Sequence, residues 1–244
     1  TFVLDHPDDR DEKAKAKQFL ELCAKTLQDV LPPRSDLIEQ VSAIVKATRE
    51  AKATETQHKR GPEAAFLNGF AVPVIHGLVR DALGGDGRAA RQALLSESFR
   101  SMPLLASASP TRSVTHPFKK STSVAEVVAQ WRTPKGTSIS CPDFALRHPF
   151  PYQIVFEGKY AKGNLSVEAA ARELAANIYQ GFFYRGLPRS AGTRTNAPFD
   201  YRYACVLIYD ATPKRSLHAA WEGFHPSVRD SFWTGANVFV MLLG

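Results

Sequence analysis

SCPDFALRHPFPYQIVFEGK, residues 140–159, is the stretch from which the rest of the chain can be read. It opens on Pro142-Asp143, bends at Arg147-His148-Pro149, runs through the apolar stretch 153–156 and ends on Glu157-Gly158-Lys159. Successive side chains of a strand point to opposite faces, so residues two apart share one. Glu157 and Lys159 therefore face one way, and Phe156 and Gly158 the other. If the segments flanking the bend pair as an antiparallel hairpin, Asp143 comes alongside Glu157. Two carboxylates then converge with an ammonium beside them. Clustered carboxylate oxygens suit a hard divalent cation such as Mg2+. The plain alternative is a surface Glu–Lys pair on an edge strand, with Asp143 in a turn.

The acidic-x-Lys pattern occurs at Asp11–Lys13, Glu50–Lys52 and Glu157–Lys159. The first two lie in charged, helix-favouring sequence. Only the third follows a β-type run and precedes a long amphipathic segment. That segment, about 167–184, is expected to be a helix capped by Ser166, with Ala169, Ala170, Leu174, Ile178 and Phe182 inward. Strands are expected at 137–146, 152–158, 203–209 and 237–243. The last two are almost wholly apolar, as strands covered on both faces are. A helical crossover between 152–158 and 203–209 requires those strands to be parallel. The fold class is therefore α/β, a central mixed sheet flanked by helices.

Upstream, acidic residues at 8–12 open a helix over 8–31, which Pro32-Pro33 stops. Ser35 is placed as the N-cap of a second helix with Leu37, Ile38, Val41, Ile44 and Val45 inward. Residues 50–60 are polar and read as a helix end or linker. Residues 1–60 thus form an N-terminal helical region, for packing, dimerisation or DNA contact, and 61–244 form the main domain. A third helix runs from Gly61-Pro62 to about Val79, with a kink or break at Pro73, and Gly84-Gly85 ends it. A short helix is expected at 88–100, a loop at 101–121 and another short helix at 122–132. The loop is basic, with Lys119 and Lys120 in it. A second basic loop carries Arg185, Arg189 and Arg194 among Gly, Ser and Thr, a composition suited to phosphate contacts or to a plain surface connection.

The chain has 244 residues and a net charge of +7, which favours a polyanionic partner. Its three cysteines show no disulfide or zinc spacing and point to a reducing compartment. No apolar run reaches the ~20 residues of a membrane helix, and no signal peptide is visible at the start.

Pro142-Asp143, a gap of thirteen residues and Glu157-Gly158-Lys159 together resemble the PD-(D/E)xK nuclease superfamily. The resemblance implies a restriction-endonuclease-like core over about 61–244. It implies that Asp143, Glu157 and the Gly158 carbonyl hold Mg2+, with Lys159 handling the attacking water. It also implies that an upstream helix lends a Glu, here Glu63, whose other reading is a carboxylate at a helix N-terminus. Gln180, one turn from Tyr184, would serve the site or the DNA. The activity implied is hydrolysis of double-stranded DNA. A type II restriction enzyme of the bacterial cytoplasm, working as a homodimer on a palindrome, is the first expectation. A structure-specific repair or recombination nuclease and a non-catalytic DNA-binding module are the alternatives.

Overall fold

The computed structural model describes residues 11–50, 61–96, 142–185 and 201–244. The expected loop at 101–121 and helix at 122–132 lie outside them, as do Cys141, Lys119, Lys120, Arg189 and Arg194.

The chain is an α/β protein built on a mixed sheet of five strands in the order β1-β2-β3-β4-β5. These are β1 (Leu94–Ser96), β2 (Phe144–Leu146), β3 (Ile154–Ala161), β4 (Tyr203–Asp210) and β5 (Val238–Leu243). β1, β2 and β3 are antiparallel neighbours, while β3, β4 and β5 run parallel. Eight consecutive residues of β4 are buried, the mark of a central strand covered on both faces.

Before the sheet come α1 (Glu12–Val30), α2 (Arg34–Glu50), α3 (Pro62–Phe66), α4 (Val72–Ala82) and α5 (Gly87–Ala93). α6 (Val167–Arg185) makes the crossover from β3 to β4, and α7 (Ser216–Gly223) and α8 (Pro226–Thr234) connect β4 to β5. Gly181 of α6 lies against Val206, Val238 and Ala204, so α6 covers the face that β3 shares with Glu157 and Lys159. On the other face the Phe66 ring of α3 meets Tyr160 and Tyr209, with centroids 6.1 and 5.1 Å away. α1 reaches the hairpin, where Phe19 packs on Phe150 at 4.7 Å. The buried residues of α1 and α2 belong to the same core as the sheet. Burying each of the fully enclosed Phe19, Phe66, Phe144 and Phe156 side chains contributes about 1.5–3 kcal/mol.

Several expectations move. The second helix starts at Arg34, straight after the two prolines, and Ser35 lies in its first turn with its hydroxyl on Asp36 at 2.9 Å. Leu37, Val41 and Val45 are buried, but Ile44 is exposed, because the inward stripe takes every fourth residue. The break expected at Pro73 appears just before it. Residues Leu67–Ala71 form a π-helical turn between α3 and α4, a bulge that accommodates a proline without an N–H to give. The expected helix at 88–100 ends at Ala93, and the chain turns into β1. β2 is confined to Phe144–Leu146, shorter than the expected strand, whose first residues lie outside the described part. Phe182 of α6 is 45% exposed rather than inward. Gly181 supplies the contact with the sheet at that level, leaving the next position outside.

Candidate active site beside strand β3

β2 and β3 pair Phe144 with Phe156, and one residue further along the same register Asp143 faces Glu157. The hairpin between them bends where the sequence places it, and its His148–Pro149 bond is cis. Among the described residues β2 ends at Phe144, and β3 from Glu157 onward has no β2 partner in register. There the Asp143 side chain takes over: its Oδ2 accepts the Gly158 N–H at 2.7 Å. The carboxylate serves that backbone donor and is thereby fixed against the motif.

On the α6 face, Lys159 Nζ donates to Glu157 Oε1, and both side chains are buried. The same ammonium lies 3.5 Å from Glu63 Oε1, in the first turn of α3. Gly158 sets how closely that region approaches the strand. A Cβ on Gly158 would come 2.4 Å from Leu67 Cδ2, so any larger residue forces the Leu67 side chain away from its place on β3. Asp143, Glu157, Lys159 and Glu63 are thus brought together from three segments.

Three carboxylates around one ammonium leave excess negative charge. Burial, with Glu157 and Glu63, holds Asp143 well above the usual carboxylate range, against the pull of Lys159 and the Gly158 N–H. Burial works against the Lys159 ammonium, but Glu157, Glu63 and Asp143 outweigh it and raise its pKa above lysine's ordinary value. Lys159 is therefore charged at neutral pH.

Gln180 and Tyr184 share a side of α6, as their spacing suggests, and Gln180 Nε2 donates to the Tyr184 hydroxyl at 3.0 Å. Tyr184 is buried, and burial followed by the charge of Glu157 pushes its phenol upward, which places it within the field of the cluster. Sequence reasoning paired Tyr184 with Gln180 without assigning it a role of its own. Its only signal was the i, i+4 spacing. Arg185 takes no part in the cluster. Its guanidinium lies 5.2 Å from the Phe182 ring centre, and its charge, after burial, lowers the Lys13 pKa.

Among the described residues, no three His, Cys, Asp or Glu side chains form a ready metal cage. The chemistry of the donors nonetheless fits a hard cation: clustered carboxylates, one with its pKa raised by burial and then by its acidic neighbours. In this arrangement Glu157 is engaged by Lys159. No helix among the described residues is long and apolar enough to cross a membrane. Compared with known proteins, the chain finds no match among family models, curated proteins or solved structures.

Proposed function

We propose that this chain is a Mg2+-dependent nuclease that hydrolyses phosphodiester bonds of double-stranded DNA on a restriction-endonuclease-like core. The observation that carries the reading is the convergence of Asp143, Glu157, Lys159 and Glu63 beside β3, where β2 as described has stopped at Phe144. Asp143, Glu157 and the Gly158 carbonyl would hold the ion, which when bound supplies Lewis acidity and a more acidic water. Asp143 is steered into place by the Gly158 N–H, and Glu63 by the packing of Leu67 on Gly158. Lys159, held as an ammonium, donates hydrogen bonds and offsets the charge that builds on the phosphate. Glu63 and Glu157 anchor that ammonium from two sides. A sequence-specific restriction activity is the narrower form of the proposal, with two copies matching a two-fold target.

The test is digestion of plasmid DNA with and without Mg2+ by the full chain and by Lys159→Ala. The expected result is Mg2+-dependent cutting that falls ~10²–10³-fold in the variant, a loss typical of removing transition-state charge stabilisation, while DNA binding persists. Discrete fragments would support restriction, and cutting only at junctions, flaps or ends would support repair. Unaltered cutting by Lys159→Ala would remove the assignment. Salt-sensitive binding without any cleavage would leave a DNA-binding module.

A further inference from the structure

The carboxylate cluster raises a problem for its own proposed substrate. Three acids around one ammonium repel a polyanion, so the attraction must come from elsewhere. Beside the cluster lies an open groove of about 410 Å³, whose lining includes Ser42, Lys46, Arg49, Glu50, Pro62 and Lys162. Pro62 immediately precedes Glu63. Lys162 lies three residues beyond Lys159, about 10 Å at the rise of a strand. Ser42, Lys46 and Arg49 follow one another at i, i+4 and i+7, a single stripe of α2. Three cations therefore face one carboxylate. Glu50 is 3.9 Å from Lys46, with both side chains largely exposed, a pairing worth little in water. All three cations are exposed.

We infer that this groove binds backbone phosphates of the nucleic-acid strand adjoining the one at Lys159, which makes α2 of the N-terminal helical region a substrate-binding arm. The inference rests on the nuclease reading and deepens it. Lys46, Arg49 and Lys162 are positioning residues: they touch phosphates next to the reacting one and carry no sequence information. A strand entering along α2 passes from net positive charge to the carboxylates at β3, where a bound cation completes the neutralisation.

The experiment measures binding of a labelled DNA duplex to the full chain across a KCl series, in the cleavage-silent Lys159→Ala background. One arm carries Lys46→Ala, Arg49→Ala and Lys162→Ala together. A charge-matched control carries Lys17→Ala, Lys25→Ala and Arg172→Ala, all exposed and outside the groove lining. Each lost phosphate contact flattens the slope of log K against log salt by about 0.9, so the groove variant should lose about 2–3 in slope and at least tenfold in affinity. The control should change both far less. With Lys159 restored and Mg2+ present, the groove variant should show a raised KM and a kcat within about threefold. Equal effects in both arms, or none in the groove arm while DNA still binds, would overturn the groove and leave the nuclease reading standing. A chain with an intact groove that binds no duplex at all would remove both.

Discussion

Two aspartates on either side of β3, Asp210 buried and Asp143 half-buried, have opposite surroundings. Asp210 ends β4 and has a donor for each oxygen. Oδ1 accepts from the Thr212 N–H at 3.1 Å and its hydroxyl at 2.5 Å. Oδ2 accepts from the N–H groups of Leu217 and His218, at 3.0 and 3.1 Å, in the first turn of α7, and the His218 ring lies 3.1 Å away. Burial alone would raise its pKa, but the bonds from His218 and Thr212 prevail and hold it at about 2. Asp143 has one backbone donor, and burial, followed by Glu157 and Glu63, pushes its pKa up instead. A carboxylate satisfied by its own fold serves the fold. A carboxylate crowded by its own kind stores repulsion that a cation would relieve.

The sharpest way to break this contrast is to remove Asp210. Asp210→Ala strips the cap from α7 and leaves the donors of Thr212, Leu217 and His218 without their acceptor. We expect a loss of about 3 kcal/mol at neutral pH, read as a lower urea midpoint. The folded pKa lies below the unfolded one, so the stabilisation is whole above the unfolded value and is lost as pH falls through about 2. The gap between wild type and variant should therefore close between about pH 4 and pH 2. A gap that stays constant over that window would mean the network is not held by an ionised carboxylate.

Gly158→Ala attacks the other region through packing alone. The new methyl overlaps three atoms of the buried Leu67 side chain, the nearest at 2.4 Å, and moving Leu67 displaces the segment that follows Glu63. The expected cost is about 2 kcal/mol, the usual scale of overpacking. Mg2+-dependent cleavage should fall further than duplex affinity, because Glu63 and Lys159 lose register while exposed cations do not. Equal losses of affinity and cleavage would show that Gly158 matters only to the fold.

Much of this second region was legible from residues 140–159. Period-two alternation set Glu157 and Lys159 on one face, and the bend at Arg147-His148-Pro149 fixed the register that brings Asp143 opposite Glu157. Apolar runs gave the two parallel strands, whose pattern depends on burial on both faces. Two parts were hidden. The Gly158–Leu67 contact joins residues far apart in sequence, and nothing local encodes that Gly158 is pressed by a helix rather than set in a turn. The Asp210 network was missed because Asp-x-Thr after an apolar run reads as an ordinary strand end, and its donors arrive only when α7 folds back. The Ser42–Lys46–Arg49 stripe was visible as helical spacing. Its proximity to Lys162 is tertiary.

Asp143→Asn is the mirror of the Asp210 experiment, with a smaller effect of the opposite sign. The folded pKa of Asp143 is raised, so its favourable, protonated form dominates at low pH and that contribution is lost as pH rises through the folded pKa. Once ionised, the group costs stability in the absence of a cation. Asparagine keeps an acceptor for the Gly158 N–H and sheds the charge. We expect about 1–2 kcal/mol of added stability at pH 8 without metal, shrinking as the pH is lowered, together with lost cleavage. Mg2+ should narrow the difference by stabilising only the wild type. A variant less stable than wild type at pH 8 would place Asp143 beside Asp210, as a structural carboxylate.

Asn177 gives the finest comparison, being buried like Asp210 yet unsatisfied. It is fully enclosed in α6, and among the described residues neither side-chain polar atom has a partner. It sits one turn before Gly181 and two before Tyr184, on the helix that covers the cluster. An unpaired buried amide costs what its lost hydration was worth, whereas leucine of similar volume pays nothing for polarity. Asn177→Leu should therefore raise stability by about 0.5–1 kcal/mol, measured by urea melts, and leave cleavage unaltered. If stability rises and kcat falls with KM unchanged, the amide belongs with Asp143, as a polar group kept at a cost for what happens beside β3.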